Sequence, residues 1–448
     1  MKKIKLSSLE KYILAHETAT NSFASNLILE TKKPLDVAKM KLALGRIFNE
    51  IPYLRSCIEV IEGEPVRCIA DSCWFDPADR FKILESLEIE DIPRVIDQKF
   101  DLSKEPALKI SYGPSKSGNY ILVMTVHHVS IDGYGQAYLL NEFFQAYYNY
   151  PLSPWVGESE SFHFRTEIFS RIGFFKGTSL LFFSLLNLLF SKKKPAATLI
   201  DQHDVLDRRT TFLSIPIDGK DQELRKKASQ LGFNGIFEFL IFCITRALDE
   251  CLVSRGELEK PIVVIIPLNL RHRLKIKGMF QNIDGLCKIV IPRGKITEVS
   301  FPTFLGKKLR SGLGSAKALS VILLMATVDL FFSFRKMKKA VQRSERQQGN
   351  IYSSIFVSAG KLPNLAILSS DLEIERIYGY GSLTKSPGLG VIFTGEANKQ
   401  TLVVEYIEGL ISKETALKFR DELVKRFVGG SANLRIQIKE VQSGTENG

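Results

Sequence analysis

The stretch that most limits what this chain can fold into is an apolar run at residues 120–126, which leads directly into two adjacent histidines. Neither alternate set of side chains along the run is strongly polar, so the pattern predicts a β-strand that is buried on both faces. A turn at Asp132-Gly133 follows, and residues 136–148 then show helical periodicity. The sequence therefore predicts a strand–turn–helix unit around which the rest of the chain is organised.

The two histidines, His127 and His128, lie at the end of this predicted strand. Because side chains alternate along a strand, one imidazole can face a cavity while the other packs into the scaffold. Asp132 is placed to pair with a cation or to hold an imidazole, and we expect Gly133 to let the chain bend where a Cβ would be in the way. A junction that carries two histidines without any chemical role is the alternative. Only six histidines occur in the chain, which favours a role in proton transfer.

Length and composition indicate an ordinary globular protein of two domains or two lobes. The chain has 448 residues, of which 45% are hydrophobic and 25% charged, so it can bury a large core. A net charge of +12 favours anionic partners, such as phosphate-bearing cofactors or an anionic membrane. Nucleic acid is not expected as a partner, because the sequence has no zinc-finger spacing, phosphate-binding loop or RNA-recognition motif.

The six cysteines are scattered, and none of them forms a C-x-x-C pair. We therefore expect no metal site and a reduced, cytoplasmic setting. The basic start of the chain is not followed by an apolar core of the kind found in signal peptides, so we do not expect secretion.

The periodicities predict an α+β protein that divides into a series of segments. Residues 1–170 form an N-terminal lobe with the histidine motif, including a short helix over residues 92–100. Residues 171–200 form a hydrophobic and basic crossover, residues 201–440 a C-terminal lobe, and residues 441–448 a flexible tail. In the C-terminal lobe, strands are predicted at residues 211–216, 262–267, 286–291, 351–358, 372–378, 390–395 and 401–407.

Two apolar segments, residues 172–194 and 318–339, each end in a basic cluster. Lys176-Gly177 interrupts the first segment and Asp329 the second, so we expect neither to span a bilayer. Apolar insertion and attraction to anionic headgroups would together place the protein on the inner face of a membrane. Core helices with solvated ends, or an apolar wall of a substrate tunnel, are the alternatives.

Several motifs in order resemble the superfamily of condensation domains and CoA-dependent acyltransferases. Residues 127–133 match its His-His-x-x-x-Asp-Gly signature, residues 267–271 resemble its Pro-x-Asn-x-Arg strand end, and residues 278–282 its Gly-x-x-x-Asn. The likeness covers most of the chain and extends to wax-ester synthases and polyketide-associated acyltransferases. Tyr134-Gly135 departs from the aromatic residue and serine that condensation domains usually carry there.

This resemblance implies two chloramphenicol-acetyltransferase-like lobes with a substrate tunnel at their interface. It also implies that His128 is the general base and that His127 is structural. An ion pair between Asp132 and Arg271 would join the lobes. The resemblance assigns His127, His128, Asp132 and Gly133 to the catalytic motif, and Tyr134, Asn269, Asn282 and Ser358 to the tunnel.

The function that we expect is that of a stand-alone acyltransferase. It would move an acyl group from a coenzyme A or carrier-protein thioester to a hydroxyl of a lipid-like, polyketide or glycolipid acceptor, without a permanently bound cofactor. The basic surface suits either anionic donor, and the apolar segments favour a long-chain or lipid substrate. The alternatives are an amide-forming condensation enzyme that uses carrier-bound substrates, and a non-catalytic relative that binds a lipid or a carrier protein.

Overall fold

The computed structural model describes most of both predicted lobes. The residues that it describes are 1–17, 22–96, 99–153, 169–170, 173, 175, 177–182, 195–202, 209–274, 282–314, 319, 323–325, 327, 332–346, 351–361, 372–396 and 399–429.

The histidine strand, β7 (Tyr120–His127), is the central strand of a five-stranded sheet. The order across this sheet is β12, β2, β7, β6 and β5, and the pairings are antiparallel except between β5 and β6. Every residue of β7 after Tyr120 is buried, so the predicted strand with two buried faces is confirmed. The other strands are β2 (Ala24–Thr31), β5 (Phe81–Ile83), β6 (Leu108–Pro114) and β12 (Ile374–Gly381).

In the described part of the N-terminal half, four α-helices accompany this sheet: α1 (Ser8–Ala15), α2 (Val37–Glu50), α3 (Ile92–Val95) and α4 (Gly133–Tyr147). Ser7 and Glu10 form a capping box on α1, whereas Asp36 caps α2 and Asp132 caps α4 through their side chains. The predicted helix over residues 92–100 is too long. It ends at Val95 because Ile96 is extended and packs into a buried apolar cluster.

A second, three-stranded sheet has the order β1 (Lys2–Lys5), β4 (Glu64–Ile69) and β3 (Ser56–Ile61). Glu62 and Gly63 join β3 to β4 with φ values of 52° and 82°. Two successive positive φ angles give the turn the twist that an antiparallel hairpin needs. The sequence prediction missed β1 and β4, since neither carries a clear apolar alternation.

The C-terminal half builds a mixed six-stranded sheet of order β10, β9, β11, β13, β14 and β8. β11 runs parallel to both of its neighbours, and the remaining pairs are antiparallel. Its strands are β8 (Arg209–Pro216), β9 (Ile262–Asn269), β10 (Asp284–Ile291), β11 (Ile355–Lys361), β13 (Leu389–Glu396) and β14 (Lys399–Glu408).

Helices cover this sheet and enclose the largest buried apolar cluster, to which the two long helices α6 and α11 contribute. The mixture of packed sheets and helices confirms the predicted α+β class. The described helices of this half are α5 (Asp221–Gln230), α6 (Ile236–Val253), α7 (Arg271–Leu274), α8 (Arg293–Ile296), α9 (Phe301–Gly314), α10 (Phe334–Arg346) and α11 (Lys413–Phe427).

One strand crosses between the two halves of the chain. β12 follows β11 in sequence but pairs with β2, with Tyr378 opposite Ile28 and Gly381 opposite Ser25. An added strand covers what would otherwise be the open edge of the N-terminal sheet. Residues 374–381 therefore belong to the C-terminal half in sequence but to the N-terminal sheet in the fold. The predicted lobe boundaries stay a prediction.

The two predicted apolar segments fall largely outside the described residues. In the second segment, Leu319 and Leu323 are buried against Leu270, Leu274 and Ile283. The basic residues after it lie on α10, whose Phe334 and Val341 pack into a cluster with α1 while Arg335, Lys336 and Lys339 are exposed. Within the described part of the chain, no helix combines the length and the apolar character needed to cross a membrane.

Candidate active site

The two histidines make contacts with different partners, as strand alternation predicts. His127 is fully buried, and its Nδ1 accepts the Val129 N–H at 3.1 Å. Its Nε2 therefore carries the proton and donates to the Glu17 carboxylate, while the ring meets the Phe100 ring edge-on at 5.7 Å. Both ring nitrogens are engaged in holding the scaffold, which leaves His127 no lone pair for a substrate.

His128 is partly exposed, and its ring is oriented by Asn282. The His128 Nδ1 lies 2.8 Å from the Asn282 Oδ1, and the Asn282 Nδ2 donates to the His128 carbonyl at 2.6 Å and the Val129 carbonyl at 3.2 Å. Because two carbonyls fix which end of the amide is the donor, Oδ1 must accept and the His128 Nδ1 must carry the proton. Nε2 is then the ring nitrogen with a lone pair for proton transfer.

Burial sets the charge state of this imidazole. Desolvation lowers the pKa of His128 below its ordinary value, although the negative charge of Asp132 and the hydrogen bond that the ring donates to Asn282 oppose the shift. A lowered pKa keeps His128 neutral at pH 7. The ring is thus in the state that a general base requires before it receives a proton.

Asp132 ties the histidine loop to the C-terminal half of the chain. Its Oδ1 accepts the Gly135 N–H at 2.9 Å, which caps α4, and its Oδ2 accepts from Arg271 at 2.6 Å and from the Ile283 N–H at 3.0 Å. Both partners of the Asp132–Arg271 pair are buried. The three protein groups that Asp132 accepts from join α4, Arg271 and the start of β10, which fits a structural role.

A second carboxyl group lies next to this ion pair. Burial raises the pKa of Asp284 well above its usual value, the charge of Asp132 raises it further, and Arg271 opposes both effects. The raised pKa favours the protonated form of Asp284 beside the Asp132–Arg271 ion pair. The sequence prediction did not single out Asp284, since one acidic residue at a strand start carries no signal.

The remaining predicted site residues are spread around this centre. The Tyr134 ring is 42% exposed and lies 5.4 Å from the Arg271 guanidinium carbon. Asn269 is exposed, and its Oδ1 accepts the Arg271 N–H, so in this structure it supports the arginine. Ser358 lies on β11 opposite Ile392 of β13, with its side chain partly buried. Their placement in a tunnel stays a prediction.

The expected steric role of Gly133 is wrong. A Cβ at this position would meet no atom within 4 Å, and its φ is not in the left-handed region. Gly133 is exposed at the first position of α4, where the chain has open space on its outer side. A small side chain would fit there.

One group of potential metal ligands occurs among the described residues, on the three-stranded sheet. The ligand atoms of Cys57, Glu59 and Cys68 lie within 4.8 Å of one another. Burial, and to a lesser extent the charge of Glu59, raise the pKa of Cys68 to about 11. We assign the group no role.

Comparison with known proteins gives a consistent result. Residues 3–153 match the family model described as Condensation domain. Gramicidin S synthase 2 of Brevibacillus brevis is 25% identical over 123 residues, which are 28% of this chain and 3% of that protein. The chain therefore spans only a small part of the curated relatives that it matches.

Solved structures extend the likeness from the N-terminal part to the whole fold. The epimerization domain from the third module of tyrocidine synthetase B superposes with a TM-score of 0.65 at 14% identity, over 95% of both chains. Polyketide synthase associated protein 5 from Mycobacterium tuberculosis superposes with a TM-score of 0.61 at 17% identity, over 95% of this chain and 98% of that one. The predicted resemblance to condensation-type domains is confirmed.

Proposed function

We propose that this protein, which has the fold of condensation domains and matches their family model over residues 3–153, is an acyltransferase with His128 as its general base. The observation that carries the proposal is the state of the His128 ring. Its Nδ1 lies 2.8 Å from the Asn282 Oδ1, which assigns the lone pair to Nε2, and the lowered pKa favours the neutral form that a base needs.

The reaction follows from that state. The oxygen of an acceptor hydroxyl, or the nitrogen of an acceptor amine, attacks the carbonyl carbon of an acyl thioester. At the same time, His128 Nε2 takes the proton from that attacking atom. The carbon–sulfur bond breaks, and the proton passes to the departing thiolate, so the ring returns to its neutral form. General-base help of this kind contributes about 10²–10⁴-fold in rate. The remaining rate enhancement comes from holding the donor and the acceptor together in the site.

The donor is either coenzyme A or a carrier-protein thioester, since both end in a thiol and both are anionic. The acceptor that we propose is a hydroxyl on a lipid-like, polyketide or glycolipid molecule, in keeping with the apolar segments of the chain. An amide-forming reaction on carrier-bound substrates is the second candidate, favoured by the match to gramicidin S synthase 2. A non-catalytic relative that binds a lipid or carrier is the third.

Thiol release separates these candidates. The protein is incubated with acyl-CoA or with an acylated carrier protein, and free thiol is measured after candidate alcohols or amines are added. Acceptor-dependent thiol release supports an enzyme, and mass spectrometry of the product distinguishes an ester from an amide. Binding of the thioester without thiol release, across both donors and both acceptor classes, would contradict the proposed function.

We also propose a peripheral position on an anionic membrane. The exposed basic residues of α10, Arg335, Lys336 and Lys339, support attraction to headgroups, whereas the apolar face of α10 is covered by α1. The contribution of α10 would then be electrostatic and sensitive to salt. Flotation with anionic liposomes tests this, with a variant that lacks Lys192, Lys193 and Lys194 as comparison; absence of flotation by the intact protein refutes it.

A further inference from the structure

A buried arginine outside the histidine motif contacts the loop that carries His128. Arg67 lies on β4, the central strand of the three-stranded sheet, and only 2% of it is exposed. Its neighbours across the two adjacent strands are the apolar residues Ile4 and Ile58. A guanidinium at this depth needs partners for its charge and for its donors.

The guanidinium has two sets of partners. On the scaffold side it donates to the Ser56 hydroxyl at 3.0 Å and to the Glu10 carboxylate at 3.1 Å. On the loop side it donates to the Val129 carbonyl and the Ser130 hydroxyl, both at 3.0 Å. Each of its two terminal nitrogens therefore contacts the scaffold and the loop at once. Glu10 neutralises the charge.

The loop contacts fall on the two residues that directly follow His128. The Val129 carbonyl also accepts from Asn282, which approaches from the C-terminal half of the chain. The Val129 side chain is fully buried in the cluster that α1 and α10 share. The backbone that determines where the His128 ring points is thus held by Arg67 from one side and by Asn282 from the other.

We propose that Arg67 is a positioning residue for His128. Its planar fork can donate to the Val129 carbonyl and the Ser130 hydroxyl at the same time as to Glu10 and Ser56. A lysine has one nitrogen at the end of a flexible chain and cannot span these four acceptors. The inference rests on the proposed function, because it assigns Arg67 to the reaction in which His128 is the base.

Substitution of Arg67 would also destabilise the protein if the residue had a purely structural role. A stability measurement alone therefore does not distinguish a structural role from a positioning role. The chain offers a matched control in Arg55. That arginine is also buried, and it donates to the carbonyls of Phe48, Asn49, Ala70 and Asp71, none of which belongs to the histidine loop.

The experiment compares Arg67→Lys with Arg55→Lys. The pKa of His128 is measured by NMR on protein with ¹³C-labelled histidine, and its resonance is assigned by its absence from His128→Ala. In Arg67→Lys, a loosened loop admits water, so the lowered pKa of His128 should rise toward its ordinary value. We expect kcat to fall about tenfold to hundredfold from misplacement of the ring, with a smaller change in KM. Arg55→Lys should leave the His128 pKa and kcat as in the wild type.

An unchanged His128 pKa and kcat in Arg67→Lys would overturn the inference, as would equal changes in both variants. If Arg67→Lys does not fold, Ser130→Ala removes one of the two loop contacts and should shift both quantities in the same direction by less; no shift there overturns the inference too. If the wild type transfers no acyl group, the proposed function fails, and the NMR titration still decides whether Arg67 positions His128.

Discussion

Replacing Asn282 by alanine tests how the catalytic ring is held. The substitution removes three hydrogen bonds, one to the His128 ring and two to the carbonyls of His128 and Val129. A net value of about 1 kcal/mol for each bond predicts a loss of roughly 2–4 kcal/mol in the free energy of unfolding.

The bond to the ring has a direct effect on catalysis, in addition to the hold that Asn282 has on the His128 backbone. Without the Asn282 Oδ1, the proton of His128 is no longer fixed on Nδ1, and part of the population carries it on Nε2, where it blocks the base. Loss of a buried hydrogen bond of about 1–3 kcal/mol corresponds to a fall in kcat/KM of about five- to hundredfold.

The assay is acceptor-dependent thiol release, measured below the temperature at which the variant unfolds. Asn26→Ala is the matched control, since Asn26 is a buried asparagine that accepts from Thr125. Asn26→Ala should lose stability while keeping kcat/KM. A wild-type kcat/KM in Asn282→Ala would refute the idea that this amide sets the state of His128.

Three further predictions concern charge. Because burial lowers the pKa of His128, kcat/KM should rise with pH along an acidic limb whose midpoint lies below the ordinary pKa of histidine. A pH–rate profile with its midpoint above the ordinary value would contradict the claim that desolvation lowers the pKa of this base. Burial raises the pKa of Glu405 from 4.5 to about 7, with the Gly381 N–H as its hydrogen-bond donor at 3.0 Å. A raised pKa gives stability below pH 4.5 that is lost as the pH rises to about 7, so Glu405→Gln should gain about 2–3 kcal/mol over the wild type between pH 5 and pH 8 in urea unfolding. A constant difference across that range would show that the carboxyl is not held protonated. Asp132→Ala removes the buried carboxylate that accepts from Arg271 and from the Ile283 N–H, and it should cost about 3–5 kcal/mol in unfolding free energy together with activity. A stable Asp132→Ala protein that has lost activity alone would assign the carboxylate to the chemistry instead.

The parts of the fold that the sequence predicts are those with local signals. The doubly buried β7, the capped helix α2 and the final helix α11, with Ser412 as its cap, follow from periodicity and capping residues. β1 and β4 could not be predicted this way, because charged residues interrupt their apolar pattern. The pairing of β12 with β2 joins residues more than 340 positions apart, and such pairing leaves no trace in a local window.

The site shows the same division. The motif and its resemblance were sufficient to place His127, His128, Asp132 and Arg271 together. The hydrogen bond that the His128 ring donates to Asn282, and the contact of His127 with Glu17, depend on side-chain directions that only the assembled fold determines. Arg67 lies in a strand of no marked pattern, and no sequence signal indicated that its guanidinium reaches the loop after His128.

The central claim is that His128 carries the proton in acyl transfer, and one variant tests it most directly. In His128→Ala, loss of the ring's hydrogen bond to Asn282 should lower the free energy of unfolding by only about 1 kcal/mol, so the protein stays folded. Acceptor-dependent thiol release should fall by about 10²–10⁴-fold. Full residual activity in a folded His128→Ala protein would contradict the account.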